Sequence, residues 1–145
     1  METQGTAQTD SFVRRSGAFL DWLEEWERAL PSARLEEYLR QTGRSPDATA
    51  ILSVDVINGF CHEGRLASPR VGSIVEPIVR LFTEAHRLGV RHFVLTQDTH
   101  DPQAEEFREW GPHCVRGTPE SQTVPELARL PFANRYTVMP KNSIS

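Results

Sequence analysis

The spacing of hydrophobic positions changes character near residue 49. Before it, "SFVRRSGAFLDWLEEWERAL" places Phe19, Leu23, Trp26 and Leu30 at steps of four, three and four, with Trp22 beside them, which predicts an amphipathic helix. Pro31 closes that helix. "SARLEEYLRQTG" follows with Leu35, Tyr38 and Leu39 on one face, and Gly43 is placed to end a second helix. Residues 1–9 read as a polar tail and "RSPDA" as a short linker. Trp22 and Trp26, one helical turn apart, predict a docking surface against the body of the protein or a second subunit rather than a cofactor box, and a homo-oligomer is expected.

From Thr49 onward, "TAILSVDVI" is a short, nearly continuous apolar run suited to a strand buried on both faces of a parallel sheet. "RVGSIVEPIVRLFTEAHRLG" then returns to steps of three and four, with Gly89 as its cap, and "VRHFVLTQD" predicts a second buried strand. Thr123 and Glu126 form a capping-box pattern ahead of "LARL", and "RYTVMP" predicts a third strand. The alternation of strand and helix predicts an α/β fold, a parallel sheet with flanking helices and right-handed crossovers. The expected organisation is a tail and helical extension over residues 1–48 and an α/β domain over 49–145. Functional groups in such a sheet gather beyond the C-terminal ends of its strands.

Composition narrows the partners. With 145 residues, 38% of them hydrophobic, the chain can build one ordinary core with appended structure. A formal charge of −4 supplies no field to draw in nucleic acid or an anionic membrane surface, so neither is expected as a partner. There is no apolar run of membrane-spanning length and "METQGTAQTD" lacks the basic and apolar regions of a signal peptide, so the expected location is the cytoplasm. There the two cysteines, Cys61 and Cys114, are expected as thiols rather than as a bridge.

The candidate chemistry sits at the three predicted strand ends. Asp55 closes the first, Asp98 and His100 close the second, and Lys141, the only lysine among 16 cationic side chains, closes the third. An acid inside an apolar run is costly to bury as a charge unless a cation or several donors hold it. Asp55 therefore needs a partner, and Lys141, a compact ammonium that burial can tune, is the candidate; an aspartate that merely caps a helix or fixes a loop is the alternative. Asp98 and His100 are two apart, so in extended backbone both side chains point the same way, and His113 could close a site around a metal. Neutral imidazoles and a carboxylate suit zinc, iron or manganese, with Glu106 or Glu105 as a fourth contact. Cys114 follows His113 and Cys61 precedes His62, but adjacent residues in extended backbone point apart, which argues against a cysteine–histidine nucleophile pair. His62, His86 and His92 read as structural residues of a loop, a helix and a strand start.

Three segments in order, "SVDVINGFCHEGRLA", "TQDTHDPQAEEFREWGPHCVRGTPES" and "VMPKNSIS", resemble the nicotinamidase and isochorismatase-like cysteine hydrolase family over residues 49–145. The resemblance implies that Asp55 and Lys141 flank a cysteine nucleophile. It implies a divalent metal held by Asp98, His100 and His113, with Glu106 where a further histidine often stands, and a substrate ring sandwiched by Phe60 and Trp110. Ile57 and Gly59 occupy positions where the family commonly carries a glutamine and a second aspartate. The family's nucleophile lies on a later strand than the lysine, and neither Cys61 nor Cys114 matches it. The expectation is therefore the N-terminal part of a longer hydrolase, its sheet incomplete and the edge of "AILSVDV" bare. The implied reaction is acyl transfer from a small carboxamide: Asp55 takes the thiol proton, the thiolate attacks the amide carbon, Lys141 steadies the developing charge and water releases the acid. Two alternatives are an isochorismatase-type vinyl-ether hydrolase, which needs no metal and against which the intact Asp98, His100 and His113 set counts, and a non-catalytic binding or oligomerisation module on the same fold.

Overall fold

The computed structural model describes residues 3–143, with side chains described from residue 16 onward. The chain divides into two compact units, Met1–Arg34 and Leu35–Ser145. The first contains α1 (Thr3–Ala29). The polar stretch expected as a tail is thus helical from Thr3, because no proline interrupts it before Pro31, whose missing N–H and fixed φ end the run. Phe19 and Trp22, one turn apart on this helix, bring their rings to 5.8 Å.

The second unit begins with α2 (Leu35–Thr42), which the sequence groups with the N-terminal extension; its Leu39 is buried and its Leu35 packs against the core of the sheet unit. Gly43 follows in the left-handed conformation (φ 62°) that favours glycine after a helix. The chain then runs through β1 (Ala50–Val54), α3 (Asn58–Cys61), α4 (Pro69–Gly72), α5 (Val75–Arg87), β2 (His92–Asp98), α6 (Phe107–Trp110), α7 (Pro125–Ala128) and β3 (Tyr136–Lys141). The strands form a parallel sheet in the order β1-β2-β3, as the alternation predicts. Its register pairs Leu52 with Val94, Val54 with Thr96, Thr96 with Met139 and Asp98 with Lys141, so the strand ends lie side by side.

The predicted long helix after the first strand is broken in two. Ser68 caps α4 through the Val71 N–H, at Gly72 a Cβ would come within 2.6 Å of the Cys61 carbonyl oxygen, and Ser73 and Ile74 stay right-handed (φ −65° and −77°) between α4 and α5. The apolar face of α5 supplies Val75, Phe82 and Ala85 to the core. Phe82 meets Phe93 at 5.1 Å and Tyr136 edge-on at 5.6 Å, while Val124, Leu127 and Phe132 close the same layer.

Two expectations change here. β1 is buried on one face only: Leu52 and Val54 are 63% and 56% exposed, and Met139, which shares their face by register, is 52% exposed. In the described sheet β1 is an edge strand. The capping box is absent as well. The Thr123 hydroxyl accepts a hydrogen bond from Gln97 Nε2 at 2.6 Å and Glu126 reaches His62 at 3.0 Å, because tertiary partners compete for both side chains; Val124 and Pro125 start α7 instead. No described helix is long and apolar enough to cross a membrane.

Candidate active site

The parallel register builds the site. Asp98 lies opposite Lys141, and Asp55 follows Val54, the partner of Thr96. Asp55 leaves β1 in a left-handed conformation (φ 57°), with its N–H bonded to the Thr96 carbonyl at 2.8 Å. Aspartate tolerates this conformation better than most side chains. Asp55 Oδ1 accepts the Asp98 backbone N–H at 3.0 Å, and Oδ2 stands 3.0 Å from Lys141 Nζ. Lys141 also donates to Asp98 Oδ1. Burial works against the ammonium, but the hydrogen bonds and charges of Asp98 and Asp55 outweigh it and hold its pKa above the ordinary lysine value. The lone lysine is therefore a partly buried cation gripped by two carboxylates, and the partner that Asp55 required is the one the sequence suggests.

Beyond β2 the backbone brings in the histidines. His100 donates its N–H to the Cys114 carbonyl at 3.0 Å and accepts the Arg116 N–H at 2.8 Å, a parallel bridge that lays the His113 loop alongside the end of β2. The two imidazoles pack at 4.7 Å, nearly perpendicular, with the edge of Phe107 against both. His113 Nδ1 is 2.8 Å from the Gly111 carbonyl. A carbonyl can only accept, so Nδ1 is the donor in this contact, and in the neutral tautomer the lone pair lies on Nε2. His100 is fully buried. Its Nε2 is 3.4 Å from Asp98 Oδ2, and Glu106 Oε1 lies 2.9 Å from its Nδ1 but out of line, so within the described residues neither ring nitrogen has a hydrogen bond.

These donors fit a divalent cation. One ligand atom each from Asp98, His100 and His113, all buried, lies within 4.8 Å of the others. A buried imidazole without a hydrogen bond is costly, and around it Asp55 and Asp98 share one ammonium while Glu106 lies against His100. A metal ion would satisfy the nitrogen and balance the excess negative charge.

Next to the cluster is a cavity of about 220 Å³ lined by Phe60, Leu66, Asp98, Glu106, Trp110 and His113. Phe60 stacks at a tilt 6.3 Å from the His113 ring, and Trp110 stands half-exposed. Neither described thiol is poised for attack. Burial, then Asp98, Glu120 and Asp55, push Cys114 up to about 12 against the pull of Lys141, and burial followed by Glu126 raises Cys61. The other histidines have ordinary partners: His62 Nε2 lies 3.0 Å from Glu126, His86 stacks on Phe132 at 4.0 Å, and His92 Nε2 is 3.0 Å from the Asp47 carbonyl. Sequence reasoning missed that Asp98 reaches both Lys141 and His100. It also missed the Gly111 carbonyl, which no side-chain pattern announces, and Glu120, whose carboxylate accepts the Cys114 N–H at 2.9 Å.

The family profile described as Isochorismatase domain matches residues 49–145, and the chain belongs to that family. It is 34% identical over 85 residues to a nicotinamidase/pyrazinamidase of Mycobacterium tuberculosis, covering 54% of this chain and 45% of that protein. It is 32% identical over 106 residues to nicotinamidase 1 of Arabidopsis thaliana, covering 68% and 42%. The crystal structure of N-carbamoylsarcosine amidase from Thermoplasma acidophilum superposes with a TM-score of 0.56 at 31% identity, covering 65% of this chain and 51% of the other. The chain thus spans about half the length of the relatives it matches.

Proposed function

We propose that this chain carries the proton-handling and metal-binding half of a nicotinamidase-like hydrolase of small carboxamides, with the attacking thiol supplied by a segment that completes the sheet beside β1. The observation that carries the reading is Lys141 gripped by Asp55 and Asp98, the latter lining a cavity together with Phe60, Trp110 and His113.

In this reading Asp55, the carboxylate aligned by the Asp98 N–H and Lys141, accepts the proton of the incoming thiol. The thiolate attacks the amide carbon, the C–N bond breaks, and the proton held on Asp55 passes to the departing ammonia. Lys141 keeps its charge throughout and stabilises first the thiolate and then the tetrahedral oxyanion. Water, deprotonated by Asp55, then cleaves the thioester to the carboxylic acid and returns the thiol. Asp98, His100 and His113 would hold the divalent ion, with Glu106 at the second nitrogen of His100 as a further ligand or as the group that orients the ring. Zinc, iron and manganese all suit these donors; when bound, the ion supplies a Lewis acid that orients a ring nitrogen or a water. Phe60 and Trp110 flank the substrate ring.

The test is ammonia release from nicotinamide and other small primary amides, measured for these 145 residues and for a form that includes the thiol-bearing segment. The longer form should turn over and the shorter should not. Equal turnover by the short form, abolished by Cys61→Ser or Cys114→Ser, would contradict the assignment of the nucleophile.

A further inference from the structure

Cys114 occupies an unusual position between the two histidines of the candidate metal centre. It is fully buried and adopts a left-handed conformation (φ 44°) that a non-glycine residue keeps only where its surroundings hold it. Its backbone links the two histidine residues: the carbonyl accepts the His100 backbone N–H at 3.0 Å, and the N–H immediately follows His113. That N–H donates to Glu120 Oε2 at 2.9 Å, a charge-assisted bond.

The surroundings are shaped for this contact. At Gly64 a Cβ would fall 2.6 Å from the Glu120 carboxyl carbon, so the carboxylate lies directly against a residue without a side chain. At Gly59 in α3 a Cβ would fall 2.5 Å from Cys114 Sγ and 3.0 Å from the Glu120 carbonyl oxygen, so this helix too makes room for both partners. The turn that presents Glu120 is tied to α3, since Asn58 Nδ2 donates to the Pro119 carbonyl at 3.0 Å and the Asn58 N–H to the Gln122 carbonyl at 2.9 Å. Glu120 is therefore an anchored acceptor aimed at one backbone N–H.

We propose that Glu120 is a positioning residue of the metal centre: its carboxylate holds Cys114 in the left-handed turn that brings His100 and His113 to bear on one ion. The proposal rests on the reading of Asp98, His100 and His113 as metal donors. Its test is titration of the metal-free protein with cobalt(II), followed by the visible absorption of the bound ion and by competition with zinc, for wild type, His113→Ala, Glu120→Ala and Glu120→Gln. Loss of a group that orients ligands typically weakens metal binding about 10–100-fold, and that loss, with an altered cobalt spectrum, is expected for Glu120→Ala. Glu120→Gln, whose amide oxygen still accepts the N–H, should stay within about threefold of wild type and keep its spectrum.

A Glu120→Ala protein with wild-type affinity and spectrum overturns the proposal, even if its melting temperature falls. Equal cobalt binding by wild type and His113→Ala removes the metal centre itself and the proposal with it, an outcome distinct from one in which only Glu120 proves indifferent. If Glu120→Ala does not fold, adding Cys114→Gly, which enters the left-handed turn without help, should recover folding and part of the affinity; no recovery counts against the proposal.

Discussion

Two regions of this molecule use the same side chain for different purposes. On the flank of the sheet, His62, His86 and His92 each have an ordinary partner: a glutamate, a stacked phenylalanine and a backbone carbonyl. At the strand ends, His100 is buried without a hydrogen bond to either nitrogen, and His113 has its Nδ1 fixed by the Gly111 carbonyl. His62 and His92 are exposed and His86 only half-buried, so ordinary partners suffice for them. A fully buried imidazole whose nitrogens make no hydrogen bond, beside a second imidazole and a carboxylate, is suited to binding a metal ion. His86 shows the other outcome, since its burial and then Arg91 and Arg135 lower its pKa and keep the ring neutral against Phe132.

The largest expected effect falls on the cation that organises the strand ends. In a form carrying the thiol, Lys141→Arg should lower amide hydrolysis by a factor on the order of 10²–10³ with the fold intact, because a planar guanidinium cannot occupy the ammonium's place between Asp55 and Asp98. Circular dichroism alongside the assay checks it, and wild-type turnover would make Lys141 a bystander.

The contrast between the two regions sharpens with single changes. His113→Ala should weaken zinc binding by at least about 10-fold. His62→Ala, remote from the cluster, should leave zinc affinity unchanged, as isothermal titration can show. His86→Ala should cost about 0.5–1.5 kcal/mol in thermal or urea unfolding through the lost stack on Phe132, again with no change in metal.

The smallest effect concerns the thiols. Cys114 is raised from the ordinary 9.0 to about 12, and Cys61 is raised as well. A raised thiol stabilises the folded state fully below pH 9.0, and that contribution is lost as pH rises toward 12, because the unfolded thiol ionises first. Both should react slowly with a disulfide reagent at pH 8 in the native protein and quickly in urea; fast labelling of either in the native state would point to an activated thiol.

Much of the sheet was legible in the sequence, because parallel strands are short apolar runs and their helices step by three and four. The "HFVLTQD" run became β2 and "YTVMPK" became β3. The helix boundaries were less so. The first polar residues of α1 carry no apolar stripe, so they read as a tail, and the interruption between α4 and α5 falls at Ser73 and Ile74, whose right-handed angles leave no mark in the apolar pattern. Burial of β1 was misjudged for a different reason: an apolar run reports what a strand is suited to, and Leu52 and Val54 are uncovered here.

At the site, the residue types at the strand ends were legible because buried charges and paired imidazoles need each other. What could not be read is how they divide their bonds. Asp98 reaches both Lys141 and His100 because of the β2–β3 register, and Glu120 reaches the Cys114 N–H across a turn. Side-chain spacing carries no trace of a backbone N–H as a partner.

The most direct measurement of the central claim is elemental analysis of the purified protein beside a double variant, His100→Ala with His113→Ala. The strand-end cluster predicts about one divalent ion per chain in the wild type and none in the variant. Full metal content in the double variant, or none in wild type after zinc is supplied, would contradict it.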